Sequence, residues 1–387
     1  MSSQLEPTGT PAPSTDAAQW ATRANQAARS VTRSFGRRLL FLPGTHLAAV
    51  SLPGTTLKSL SGPWHYWWQA HYVDCLVDAG RRELADKKRF DGDSRPSAGR
   101  LASRLLTTIR LRNLLRFVND YYDDMAWLAL ATLRLEKLAE ETKKPGRRRN
   151  AYIRKSLTLQ FDSASTDDFG GGTFWSTKRD FKNTPATAPV ALYYARTGHT
   201  ERAQQLVNWL NSKLLHPERG VYQDGVRMSH GQVVVDNAIY TYNQGPVLGA
   251  LLELGGEENL RRAALLVDAV KRELTLPGTD VIRGDGTGDG GLFTGILLRY
   301  LALAARDARL PAAARETAKS LVYSTAEALW TGRRVDPNPV NARKGTPAIV
   351  FSFDPQRPAG ETYPAGTAVE LSTQLQAWMA LEAAATL

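Results

Sequence analysis

The 387-residue chain has a single cysteine, Cys75, which excludes an intrachain disulfide and any cysteine-built metal cluster. It has no run of about eighteen apolar residues, so a membrane-spanning helix is not expected. Alternating β-branched runs are few, which speaks against a sheet-built core. No G-x-S-x-G and no Ser/His/Asp arrangement stands out. Gly286, Gly288 and Gly291 satisfy G-x-G-x-x-G, yet no strand precedes them, so the dinucleotide reading lacks its context. Asp285 and Asp289 resemble positions of a calcium loop, but Ile296 stands where the bidentate glutamate belongs. The first residues, "MSSQLEPTGTPAPSTDAAQW", lack a basic segment followed by an apolar core. They are polar and rich in Pro, Ser and Thr, so residues 1–15 are expected to be a disordered leader on a cytoplasmic protein, with 16–387 a single domain.

Charge is plentiful, at a formal excess of +11 with a pI near 9.7, but it is dispersed. The densest basic run is Lys143, Lys144, Arg147, Arg148 and Arg149. A nucleic-acid footprint needs clustering on one face, so no nucleic-acid partner is expected.

Helical patterns alternate with Gly/Pro/Asp-rich connections along the whole chain. They predict about twelve helices, near 16–35, 63–83, 98–117, 121–140, 146–161, 183–197, 199–215, 237–253, 257–275, 290–307, 310–331 and 366–385, with short strands at "VVVDN" (233–237) and "AIVFSF" (348–353). Two kinds of helix take turns. One, such as "ENLRRAALLVDAVKREL", has an apolar stripe and a charged face. The other is nearly charge-free but opens with a polar or aromatic mouth, as in "PWHYWWQAHYVDCLV", "YYDDMAWLALATL" and "AIYTYNQGPVLGALLEL". Six hairpins, each pairing one helix of each kind, predict an all-α fold, an (α/α)6 barrel with a cleft where the inner mouths gather. An open solenoid would show similarity at a fixed period, and none is seen.

The acids at one mouth carry the chemistry. Asp123 and Asp124 are neighbours, so their side chains diverge by about 100° on a helix, and only a first-turn position lets both reach one cleft. Helix capping is the plain explanation of such a pair. A retaining glycosidase, which needs a nucleophile and an acid/base about 5 to 5.5 Å apart, is another. With Asp120 the pair forms D-x-x-D-D, like the magnesium-diphosphate sites of prenyl-transfer enzymes, but no opposing acidic cluster answers it, so no metal is expected.

The other mouths suit sugars, whose CH faces stack on rings while their hydroxyls seek amides and acids. Trp64, His65 and Tyr66 open one helix, and Tyr121 and Tyr122 precede the acid pair. Trp175 and Lys178 lie in the Gly-rich stretch "TDDFGGGTFWSTKRDFKNTPATAP" that leads into Asn183, a stretch also readable as a plain turn in which glycine supplies positive φ. Tyr240, Tyr242, Asn243 and Gln244 start another helix, and Asp285 and Asp289 are candidate substrate or capping acids. His65 and His71 are expected to hydrogen-bond rather than bind metal.

"YYDDMAWLALA", with "WHYWWQAHYVDCLVDA", "GGGTFWSTKRDFKNTPATAP", "TYNQGPVLGALLEL" and "GDGGLFTGILLRYLALAA", resembles glycoside hydrolase family 76, the endo-α-1,6-mannanases, from about Trp64 to Leu381. The resemblance implies an (α/α)6 barrel that cleaves α-1,6-linked mannan or mannooligosaccharides with retention and needs no cofactor. It also implies that Asp123 is the nucleophile and Asp124 the general acid/base. With that substrate class, the excess positive charge is expected to give a weak attraction to anionic mannolipids. The rival expectations are a catalytically inactive mannan-binding barrel, or an (α/α)6 enzyme acting on another glycan.

Overall fold

The computed structural model describes residues 16–53, 63–336 and 348–387; the expected leader at 1–15 lies outside them. Twelve helices of 13 residues or more are present among the described residues: α1 Ala17–Phe35, α2 Tyr66–Asp86, α3 Ala98–Arg112, α4 Tyr122–Glu141, α5 Arg147–Ala164, α6 Thr184–Arg196, α7 Thr200–Lys213, α8 Thr241–Leu254, α9 Glu257–Leu274, α10 Phe293–Arg306, α11 Ala312–Thr331 and α12 Leu371–Ala385. The even-numbered helices form the inner ring. Each packs on the next in the order α2, α4, α6, α8, α10, α12, and α12 returns to α2. Helices α3, α5, α7, α9 and α11 each back the inner helix before them, and α1 backs α12, so the first and last helices close the barrel.

Sequence dictates which helix goes where. Outer helix α9 buries Ala263, Leu266, Val267, Val270 and Leu274, a single stripe at helical spacing, and gives its charges to water. Inner helix α8 buries Thr241 and every residue from Asn243 to Leu252, which only a place inside the ring can satisfy. Side chains fix the starts: Asp16 accepts from the Ala18 N–H, Ser97 from Arg100 and Asn183 from Ala186.

The ends differ from expectation where backbone geometry intervenes. Helix α2 starts at Tyr66 because His65 lies at φ 46°, and α3 stops at Arg112 because Leu114 and Leu115 lie at 52° and 62°. A 3-10 turn, Gly288–Leu292, precedes α10. Among the described residues nine short strands, β1 Gly36–Arg37, β2 Leu47–Ala48, β3 Ser51–Leu52, β4 Phe181–Asn183, β5 Gly225–Ser229, β6 Gln232–Asp236, β7 Arg334–Asp336, β8 Ala348–Val350 and β9 Val369–Glu370, lie in the connections, including both stretches expected to be extended. Antiparallel pairing of β3 with β9 adds a second tie between the chain's two ends, and β4, β5 and β6 form a three-stranded sheet.

Inner helices all enter at one end, the mouth. Deeper in the ring lies an ion network: Arg134 of α4 and Arg299 of α10 both pair with Asp74 and Asp78 of α2, and Arg82 pairs with Glu382 of α12. Most of these side chains are only partly exposed, so pairing offsets the water they lose and the network ties the helices together. No helix among the described residues is long and apolar enough to cross a membrane.

Candidate active site

Tyr121 is the N-cap of α4, which puts Asp123 and Asp124 in its first turn, the position from which both can face the mouth. Each carboxylate has its own donor. Asn119 gives its amide N–H to Oδ2 of Asp124 at 2.6 Å, while its own Oδ1 accepts from the Tyr121 N–H at 3.1 Å. Trp175 gives its indole N–H to Oδ2 of Asp123 at 3.1 Å. Oδ1 of Asp123 is buried with no hydrogen-bond partner among the described residues.

Trp175 reaches that position because its loop is stitched to the segment before α4. Tyr122 donates its N–H to the Trp175 carbonyl at 2.8 Å, Thr177 donates to Asp120, and Tyr121 bridges to Ser176. The loop is anchored from beneath by Lys182, which is fully buried and donates through Nζ to the Thr166, Gly171 and Gly172 carbonyls and to Thr166 Oγ1 at 2.6 to 3.1 Å. Its glycines are required: Gly172 lies at φ 78°, and a Cβ there would stand 2.7 Å from the Trp209 ring.

Burial sets the electrostatics. It pushes Asp123 up to about 7, with the charge of Asp224 adding to the rise, while neighbouring N–H groups and the Trp175 indole oppose it. Asp124 is driven further above the carboxylate range, by burial first and then by the charges of Asp123 and Asp289. Asp224 is a third acid of the site, just before β5, raised to about 6 chiefly by burial and held by Asn243 Nδ2 at 3.3 Å. Its neighbour Gly225 allows β5 to lie against β4, since a Cβ there would stand 2.6 Å from the Lys182 carbonyl. The sequence reading missed Asp224 because it lies in a connection and not at an inner-helix start.

The other predicted residues divide between the cleft and its frame. Tyr121 and Trp175 are 40% and 37% exposed with ring centroids 5.0 Å apart, a free aromatic platform beside Asp123. Asp289 accepts from the indoles of Trp67 and Trp68 at 3.0 and 2.8 Å, and His65 stacks on Trp68. Tyr242 stacks on Phe293 at 3.7 Å, with Tyr240 alongside, and Trp64 leans on Tyr66. Asn243 is buried and keeps Oδ1 unpartnered.

Several of the predicted residues turn inward. Tyr66 donates to the Phe117 carbonyl, Tyr122 is buried, and Asn183 caps α6. Gln244 spends its amide on the Tyr222 backbone and the Tyr240 carbonyl, and Asp285 accepts the Thr241 N–H and hydroxyl at the start of α8. Lys178 stands exposed on a turn. His71 is buried deeper in the ring, where desolvation lowers its proton affinity to about 3. Among the described residues no three His, Cys, Asp or Glu side chains are arranged to hold a metal ion.

A closed (α/α)6 barrel with buried acids and exposed rings at its mouth has the build of a carbohydrate-cleaving enzyme. The model of glycosyl hydrolase family 76 matches residues 46–347, and the chain belongs to that family of glycosidases. Among solved structures it is similar to the GH76A α-1,6-mannanase of Salegentibacter sp. HEL1_6, with 27% identity, TM-score 0.77, and 95% of this chain and 99% of that one covered. It matches equally a variant of that enzyme inactivated by changing two consecutive aspartates to asparagine and solved with α-1,6-mannotriose, at 27% identity and TM-score 0.76 over the same shares of the two chains. The fold is shared with the family 76 mannosidase Bt3792 of Bacteroides thetaiotaomicron VPI-5482, at 17% identity, TM-score 0.68, and coverage of 95% and 98%. No curated protein sequence matches the chain.

Proposed function

We propose that the protein hydrolyses α-1,6-mannosidic bonds in mannan or mannooligosaccharides with retention of configuration, Asp123 acting as nucleophile and Asp124 as general acid/base. The observation that carries this reading is the unequal support of the two acids. Asp123 receives the Trp175 indole N–H and neighbouring backbone N–H groups and keeps Oδ1 free, whereas Asp124, whose one side-chain donor is the Asn119 amide, is pushed well above the carboxylate range by burial and by its neighbour's charge. When one proton is shared by such a pair, it resides on Asp124. The relative whose two consecutive aspartates were changed is described as inactive and in complex with α-1,6-mannotriose, which supports a consecutive acid pair as the reacting groups and an α-1,6-mannoside as the substrate here.

In the first step Asp123 attacks the anomeric carbon while Asp124 passes its proton to the departing glycosidic oxygen, leaving a mannosyl ester on Asp123. In the second step Asp124, now ionised, takes a proton from the incoming water as that water breaks the ester, restoring both acids. The Tyr121 and Trp175 rings stack on one mannose, and Asp224 and Asn243 accept from its hydroxyls. The test is product release from linear α-1,6-mannooligosaccharides, with the first-formed anomer read by NMR. Initial release of the α-anomer, lost in Asp123→Asn and Asp124→Asn proteins that remain folded, is the expected result. Initial β-anomer would exclude retention, and wild-type binding without hydrolysis would leave a mannan-binding barrel.

A further inference from the structure

Two adjacent turns on the surface carry an apolar cluster that the barrel does not use. The first joins β1 to β2 and presents Leu40, Phe41 and Leu42 at 58%, 83% and 46% exposure. The second is the end of α3 and the turn after it, where Leu111 of the last helical turn and Leu114 and Leu115 beyond it are 40%, 86% and 61% exposed. The first turn is tied to the helix that leads into the second: His46, at the end of the first, donates its backbone N–H to Thr108 Oγ1 of α3 at 2.9 Å. Scattered exposed leucines are ordinary, but six large apolar side chains on neighbouring turns form a patch. Four of them, Leu40, Phe41, Leu114 and Leu115, lie at φ 46°, 62°, 52° and 62°. Left-handed backbone is unfavourable for such residues and is kept where a local shape is needed.

The chain segments that carry the patch are basic. Residues 17–52 and 95–119 contain eleven arginines and no aspartate or glutamate, and since the formal excess of the whole chain is +11, everything else is balanced. Arg23, Arg29 and Arg33 are committed to Glu327 and Asp91. Arg37, Arg38, Arg100, Arg104, Arg110 and Arg116 are in no ion pair among the described residues. Arg110 folds the second turn back over α3 by donating to the Leu115 carbonyl.

Position links the patch to the cleft. Helices α1 and α3 both run toward the mouth, so both turns lie at that end. From Leu115 the chain continues to Phe117, whose carbonyl accepts from Tyr66, and to Asn119, which holds Asp124. Four residues span at most about 15 Å.

We propose that this face docks on an anionic lipid bilayer, its apolar side chains entering the headgroup boundary and its arginines meeting lipid phosphates, so that the cleft opens close to the membrane surface. Convex apolar tips ringed by cations are what an interfacial anchor needs. A second copy of the chain would bring one cationic rim against another, which opposes self-association through this face. The docking does not depend on which glycan the cleft takes.

The experiment is flotation with vesicles of phosphatidylcholine alone and of phosphatidylcholine mixed with phosphatidylglycerol. The wild type floats with the mixed vesicles only. Phe41→Ser combined with Leu114→Ser, and separately Arg38→Glu combined with Arg116→Glu, weaken that binding about tenfold or more, with circular dichroism and melting temperature unchanged. A Phe41→Trp protein, altered only at an exposed side chain, has its added fluorescence quenched by brominated lipid in the mixed vesicles. Wild type that stays with neither vesicle overturns the proposal. So does binding that survives the serine changes, or a dimer seen by light scattering that the same changes dissolve without any vesicle binding.

Discussion

The indole N–H of Trp175 donates to Oδ2 of Asp123 at 3.1 Å, and no other side chain among the described residues donates to that carboxylate. Trp175→Phe keeps a ring and removes the donor. The anion of Asp123 then loses its support, so its pKa rises above about 7 and the acidic limb of the kcat/KM profile moves to higher pH. A hydrogen bond to a charged group is worth about 1.5 to 3 kcal/mol, so kcat/KM near pH 6 falls roughly tenfold or more, and less near pH 8. An equal loss at every pH, with the limb unmoved, would mean that Trp175 acts only as a stacking surface.

Asp224 acts on the same group with the opposite sign. Its charge raises Asp123, so Asp224→Asn lowers the Asp123 pKa and moves the acidic limb to lower pH. The same change weakens substrate binding, because an acceptor for sugar hydroxyls is partly replaced by a donor. KM is expected to rise by about tenfold. A profile that keeps its limb in place while KM rises would confine Asp224 to binding.

Much of this was legible in the residues. The inner helices announce themselves because a helix free of charge on every side has nowhere to go but the interior, and the paired acids announce the mouth because carboxylates are out of place on such a helix. Asp224 and Asn119 were not legible, since both sit in connections whose path depends on contacts far along the chain, such as Thr184 N–H to the Asp224 carbonyl. The two lysines of the Gly-rich stretch make the same point. Composition favoured Lys178, the cation nearest Trp175 in sequence, but the antiparallel pairing of Phe181–Asn183 with β5 accompanies burial of Lys182, leaving Lys178 on an exposed turn. Gln244 looked like a sugar binder because it is polar at a mouth, but its amide is taken up by backbone, and of the two uses open to Asp285, substrate or capping, it takes the second, accepting the Thr241 N–H at the start of α8.

The acid pair is a liability for the fold, and its cost has a pH signature. In the unfolded chain an aspartate ionises near 3.9. In the folded protein burial holds Asp123 up to about 7 and Asp124 higher, so between these limits the unfolded chain binds fewer protons and stability falls as pH rises. Asp124→Asn removes one such group. Its melting temperature is expected to exceed wild type by a few degrees at pH 7.5 and to converge with it below about pH 4, where both states of Asp124 are protonated. A destabilised Asp124→Asn protein at pH 7.5 would show that the carboxylate is ionised and well supported, and would remove it as the general acid.

Lys182 is the remaining link between loop and chemistry. Its ammonium is the hub for three carbonyls and a hydroxyl of the 166–172 stretch and lies 4.5 Å from the centre of the Phe174 ring. Lys182→Met keeps the length of the stem and leaves those acceptors buried without a donor. Loss of charged hydrogen bonds of this kind costs about 2 to 3 kcal/mol, which lowers the melting temperature by roughly 5 °C in a chain of this size. Because the same loop carries Trp175 to Asp123, the variant should also lose activity, and the acidic limb should move up as it does in Trp175→Phe. A destabilised variant that keeps the wild-type pH profile would show that the loop holds Trp175 in place without Lys182, through the backbone bonds to Tyr122 and Asp120 alone.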